Sequence, residues 1–224
     1  MNKGLIITID GPSGVGKGTV AKSVAKKLTL TYLDTGAMYR AVALKVKTEP
    51  IDIDNDQELL SLLNDTNIGI ENSPENSLII TLNNKDITDE IRSPEISRIA
   101  SDVATKGLVR NKLVELQRQI GSNGNIVVEG RDMGTYVFPE ATYKFYLDAN
   151  LQERAVRRKK QLMENNINID LDKLIKEIET RDKQDKERLE SPLHPARNAV
   201  IIDTTNLNAD EVTNRIITEV KVSI

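Results

Sequence analysis

The chain has 224 residues, of which 38% are apolar and 29% charged, with a formal net charge of −3 and no cysteine. That length suits one α/β domain with room for an insert. The missing thiols exclude a disulfide framework and thiolate metal sites, and they fit a reducing, cytoplasmic setting. Nothing in the overall charge attracts nucleic acid, and 3% aromatics without tryptophan exclude a base-stacking platform. No apolar run approaches a membrane span, and the opening Met1-Asn2-Lys3 before a short strand leaves no room for a signal-peptide core.

Leu5-Ile6-Ile7-Thr8-Ile9 is a short apolar, β-branched run that predicts a buried strand ending at Asp10. Gly11-Pro12-Ser13-Gly14-Val15-Gly16-Lys17 follows as a glycine-rich turn, and Thr19-Val20-Ala21-Lys22 begins a helical pattern. Strand, G-x-x-x-x-G-K loop and helix in this order form the setting of a phosphate-binding loop. Successive backbone N–H groups point into one concavity, the helix start adds partial positive charge, and Lys17 reaches the outer phosphates. Gly18 stands where a Mg²⁺-binding hydroxyl residue usually follows the lysine, with Thr19 one place later. The GKGT variant narrows the reading to nucleoside monophosphate kinases.

Tyr32-Leu33-Asp34 predicts a second strand end, followed by a helix from Thr35 through Val46 with Thr35 as its cap. A short helix is expected between Asp52 and Asn64. From Asn67 to Asp89 the apolar residues alternate, with turn chemistry at 72–76 and at Asn83-Asn84-Lys85-Asp86, which predicts a small β-rich insert. Helices are expected over Pro94–Ala104 and Leu108–Ile120. Asn125–Glu129 predicts a buried strand ending at Gly130-Arg131-Asp132, and Tyr143–Asp148 another. A long charged helical region runs from Leu151 to about Glu190, then a strand over Ala199–Asp203 and a helix over Ala209–Val220. Alternating strands and helices imply a three-layer α/β fold, a parallel sheet covered by helices on both faces.

Ligands of an open α/β sheet bind beyond the C-terminal strand ends. Gly11–Lys17, Asp34–Arg40 and Glu129–Asp132 all fall there. Arg40 lies one turn inside its helix and can point back over the helix start. Arg154, Arg157 and Arg158 share a helical face, as do Arg181, Asp185 and Arg188. Charge-rich helices are ordinarily solvated and laced by pairs such as Glu153 with Arg157. Arginine in preference to lysine points instead to bidentate phosphate recognition. His194, the only histidine, sits in a Pro-Leu-His-Pro segment without metal-ligating neighbours in sequence.

GPSGVGKGT, YLDTGAMYR, EGRDMGTYVFP and the Arg181–Arg188 segment together resemble the bacterial cytidylate (CMP) kinases, over essentially the whole chain. The resemblance implies a core formed by 1–64 and 105–224, a lid at about 151–190 and a CMP-binding insert at 65–104. It implies ATP phosphates on Gly11, Pro12, Ser13, Gly14, Val15, Gly16, Lys17, Gly18 and Thr19, with Arg154, Arg157 and Arg158 in the lid. Arg40, Arg131 and Arg188 would hold the monophosphate, in the company of Asp34 and Thr35. Ser101, Arg110 and Asp132 would face cytosine, while Arg181 and Asp185 would hold the ribose. The catalytic group would comprise Lys17, Arg131, Arg188, Arg157 and Arg158. Thr35 stands where serine is common in that family, and Glu129 where aspartate is common.

The implied activity is transfer of the γ-phosphate of ATP to CMP or dCMP in pyrimidine nucleotide metabolism, with Mg²⁺ bound through phosphates and water and no protein ligand assigned. The expected partners are small molecules, with no nucleic acid or membrane, and the expected state is a monomer. A kinase for UMP or AMP would differ only at the base pocket. A phosphate-loop switch protein is the more remote alternative, and no N-K-x-D guanine signature supports it.

Overall fold

Ile7 and Ile9 have no exposed surface in β1 (Ile6–Asp10), the strand about which the larger sheet is built. In this computed structural model the described residues are 4–72, 78–164 and 167–222. The expected turn at 72–76 lies almost wholly outside them. The five-stranded sheet has the order β2-β6-β1-β7-β8, with β2 at Thr31–Asp34, β6 at Ile126–Gly130, β7 at Tyr143–Asp148 and β8 at Val200–Asp203. β1 pairs in parallel with β6, Asp10 opposite Gly130, and with β7, Asp10 opposite Tyr146. β7 pairs in parallel with β8. Every residue of β6 is buried, as a central parallel strand requires.

The chain divides into two compact units, one comprising residues 1–31 and 124–224, the other 32–123. In the first, α1 (Lys17–Leu28) packs against β6 and against α8 (Ala209–Val222). α6 (Leu151–Glu164) and α7 (Leu171–Glu187) pack on each other through Ala155, Leu162, Leu174 and Ile178. The helical region expected from Leu151 to about Glu190 consists of these two helices. Asp170 starts the second one, its side chain accepting from the Lys173 N–H at 3.1 Å.

In the second unit, α2 (Thr35–Thr48) packs against α4 (Pro94–Val103), and α3 (Asp56–Asn64) against α5 (Gly107–Ile120). β3 (Ile68–Asn72), β4 (Leu78–Leu82) and β5 (Lys85–Asp86) form the antiparallel meander that the alternation predicts. Asn83 and Asn84 turn between β4 and β5 with φ of 48° and 66°, a pair of left-handed residues suited to a tight hairpin. The cap of α2 is Asp34 and not Thr35: the Asp34 carboxylate accepts from the Ala37 N–H at 2.9 Å, and Thr35 is already helical and buried. A charged acceptor one residue earlier reaches the free N–H groups of the first turn.

Candidate active site

The loop between β1 and α1 takes its shape from glycine. Gly11 has φ 149°, and a Cβ there would collide with the Leu147 carbonyl oxygen of the neighbouring strand. Gly14 has φ 77°, and a Cβ would lie 2.9 Å from the Arg154 carbonyl oxygen. Gly16, at φ 94°, caps α1. Lys17, 7% exposed, curls over this loop and donates from Nζ to the carbonyls of Gly11 at 2.8 Å and Pro12 at 2.7 Å. Burial, with the Arg131 charge second, pushes its ammonium down to about 7, while Glu129 and Asp185 oppose the shift. An approaching polyphosphate would reverse that balance by favouring the charged amine.

Beyond β6 the backbone forms a wide turn over Met133–Val137. Asp10, unremarked in the sequence except as a strand end, holds that turn. Its carboxylate accepts from the N–H groups of Met133 at 2.9 Å and Gly134 at 2.8 Å. Burial raises Asp10 to about 6 in spite of these two donors. The turn is thereby fixed just after Arg131 and Asp132.

α7 faces both features. Arg131 Nε donates to Asp185 at 2.7 Å, and Arg188 Nη2 lies 3.4 Å from Asp132. The Arg131 guanidinium holds Asp185 below the ordinary carboxylate range although burial pushes the other way. Asp185 in turn raises Arg131 against the opposing effect of burial. Asp182, which spacing did not single out, accepts from Arg154 at 2.5 Å and from the Ser13 N–H at 3.3 Å. Arg181 lies on the same helix, close enough to depress Lys17 electrostatically.

The three α6 arginines share a face of the helix but have different partners. Arg154 is buried against the loop, with Nη1 donating to Ser13 O and Nε to Ala149 O, both at 3.0 Å. Arg157 turns to the segment after β8 and donates to Thr204 O at 2.6 Å and Thr204 Oγ1 at 3.0 Å, besides pairing with Glu153. Arg158 bonds Gln161 at 2.7 Å. Thr19 is exposed on the first turn of α1.

The other substrate-binding candidates singled out by the sequence lie in the second unit. Arg40 folds back over the start of α2, as its position predicts, and pairs with Asp34 at 2.8 Å. Arg110 on α5 is 2% exposed and donates to the Tyr39 hydroxyl at 3.3 Å. Ser101 is half-buried on α4. Thr35 and Asp34 form the junction of β2 with α2.

A parallel sheet with a lysine-bearing glycine loop at the end of its central strand, flanked by clustered arginines, defines a phosphate-loop kinase. The cytidylate kinase family model matches residues 7–222, and the chain belongs to that family. It is 48% identical over 215 residues to a cytidylate kinase of Desulforamulus reducens, covering 96% of each chain. It is 44% identical over 217 residues to one from Syntrophotalea carbinolica, covering 97% of this chain and 92% of the other. Among solved structures, an uncharacterized protein from Eubacterium ventriosum has the same fold, with TM-score 0.55, 14% identity and coverage of 98% of this chain and 99% of that one.

Proposed function

We propose that the protein transfers the terminal phosphoryl group of ATP to CMP, giving CDP and ADP, and that dCMP is a second acceptor. Membership of the cytidylate kinase family supports the reaction. The single geometric observation that supports the division of labour is the interlock of Arg131 with Asp185 and of Arg188 with Asp132, in the same unit as the phosphate loop. These arginines are balanced by carboxylates, and phosphate oxygens of greater charge compete for the same forks.

In this reading the loop from Gly11 to Thr19 cradles the triphosphate, and Lys17 neutralises the group in flight. Arg131, Arg188 and Arg40 hold the acceptor phosphate. Asp132, Ser101 and Arg110 read the base, and Arg181 and Asp185 the sugar. The attacking atom is a phosphate oxygen, largely ionised near neutral pH because a phosphomonoester loses its second proton at about 6. No general base is needed. Catalysis is alignment of two anions and neutralisation of charge across the transferring group.

Mg²⁺ fits this donor set through the triphosphate. Among the described residues no cluster of three His, Cys, Asp or Glu side chains is placed to cage an ion, and Mg²⁺ characteristically keeps water and phosphate ligands. When bound through the triphosphate on the Gly11–Thr19 loop, it would supply further neutralisation of phosphate charge. Arg157 and Arg158 would serve as lid residues by exchanging their present partners for phosphate oxygens. Residues 65–104 would carry the acceptor-binding insert.

Base choice follows from hydrogen bonding. Cytosine presents an N4 amino donor that a carboxylate accepts, whereas uracil presents a carbonyl there. A product assay with ATP and each of CMP, dCMP, UMP and AMP at equal concentration tests the assignment. CMP should be turned over fastest, and a faster rate with UMP or AMP would refute the base pocket.

A further inference from the structure

Asp182 is a buried carboxylate beside the phosphate loop to which the division of labour above gives no task. Asp182, in the middle of α7, spans two partners: Oδ1 accepts from the Ser13 N–H of the phosphate loop at 3.3 Å, and Oδ2 from Arg154 Nη1 at 2.5 Å. The two side chains are 10% and 8% exposed. Arg154 Nη1 also donates to the carbonyl of Ser13. Carboxylate and guanidinium therefore hold Ser13 by its N–H and its C=O at once. The contact is close, since Gly14 abuts the Arg154 backbone.

Helix geometry connects this clasp to the acceptor residues. Asp182 and Asp185 are three apart and are neighbours on one helical face. Asp185 binds Arg131, and Arg188, at the C-terminal cap of α7, meets Asp132. One side of α7 thus touches the donor loop at one level and the Arg131–Asp132 turn at the next. On the proposed assignment, one helix touches both nucleotide sites.

A main-chain N–H has one proton to donate. Phosphate oxygens entering the loop compete with Asp182 for the Ser13 amide, and a carboxylate beside a polyphosphate is repelled by it. The clasp cannot stay as it is when the donor arrives.

We propose that Asp182 is a positioning residue that couples the donor and acceptor sites: phosphates entering the loop displace its carboxylate from Ser13, and α7 carries the change to Asp185 and Arg188, resetting their hold on the acceptor. The inference rests on the assignment of the loop to ATP and of Arg131, Asp132 and Arg188 to CMP.

The test is the affinity for CMP, measured by calorimetry on the full chain, with and without a non-hydrolysable ATP analogue and Mg²⁺. In the wild type the two affinities should differ by about fivefold or more, and CMP should shift the affinity for the analogue by the same factor, because coupling is reciprocal. In Asp182→Asn, an isosteric change that removes the charge toward Arg154, the factor should fall to within about twofold of one while each nucleotide alone still binds. Asp182→Glu should restore part of it. A wild-type factor of one, or an unchanged factor in Asp182→Asn, overturns the proposal. Failure of the wild type to bind CMP or the analogue at all would instead defeat the underlying site assignment. Should Asp182→Asn melt before it can be titrated, hydrogen exchange on the wild type decides the matter. The analogue alone should alter protection of amides 181–188, and unchanged protection there would overturn the coupling.

Discussion

The phosphate loop and the Arg131–Arg188 cluster, both of which we propose to hold anions, are made of different material. The loop is main chain: its form depends on Gly11, Gly14 and Gly16 adopting positive φ, and its one reaching side chain, Lys17, folds back on its own carbonyls. The cluster is side chain: Arg131, Arg188, Asp132 and Asp185 come from two segments far apart in sequence and meet as ion pairs. A backbone site is vulnerable to a misplaced Cβ. A side-chain site is vulnerable to loss of one partner, since the group left behind is a buried, uncompensated charge.

The largest expected effect separates these two vulnerabilities. Arg131→Ala should lower kcat/KM for CMP by about 10³-fold or more, the scale set by arginines that stabilise phosphoryl transfer. It should also lower the melting temperature, because Asp185 loses its counter-charge. A loss below tenfold in steady-state assays would remove Arg131 from the acceptor grip. Gly14→Ala attacks the loop without altering any charge. Strain at φ 77° and the clash with Arg154 should cost about 100-fold in kcat/KM for ATP. Wild-type kinetics would show that the loop does not depend on its backbone form.

Asp132→Ala sharpens the comparison within the cluster. It should narrow the ratio of CMP to UMP turnover by about tenfold, the lower range for one base-reading contact. An unchanged ratio would mean that base choice lies elsewhere. The smallest effect concerns Lys17, which burial and Arg131 push down to about 7 from an ordinary value of 10.5. Between those values the unfolded chain binds a proton that the folded chain has released, so this lysine makes stability rise with pH. Its contribution is lost as pH falls through 7. The slope should reach at most about 1.4 kcal/mol per pH unit, measured by urea unfolding between pH 7 and 9. Lys17→Met should flatten it, and an identical slope in that variant would contradict the shift.

The same difference in material explains what could be read from the sequence. The loop is contiguous, so glycine spacing between a β-branched run and a helix was enough to locate it. The strands were legible for a similar reason, since Ile126–Gly130 and Tyr143–Asp148 are local apolar runs. Arg131, Asp132, Asp185 and Arg188 could be nominated from spacing and family resemblance, but their pairing could not, because it depends on where α7 lies. Asp182 is not legible from the sequence. In a helix as charged as Leu171–Glu187 nothing in spacing distinguishes a carboxylate buried on Ser13 from its solvated neighbours. Asp10, a strand-end aspartate, resembles any turn residue in sequence, and only the fold brings the Met133 and Gly134 amides to it. Arg154, Arg157 and Arg158 do follow one another along one face of α6, but their separate partners, Ser13 and Asp182, the carbonyls after β8, and Gln161, depend on packing that spacing does not reveal. Spacing also gives the cap of α2 to Thr35, one position after the carboxylate that performs it.

Thr31, the last residue of the first unit before the chain departs into the second, donates its N–H to the carbonyl of Asn125, one residue after the chain has returned, at 2.9 Å. Exit and re-entry are thus adjacent strands of backbone. A segment tethered this way can lengthen, shorten or be exchanged between relatives with little penalty for loop closure. The first unit, which holds the phosphate loop and the Arg131–Arg188 cluster, is thereby closed on itself across the gap in its sequence by a main-chain hydrogen bond.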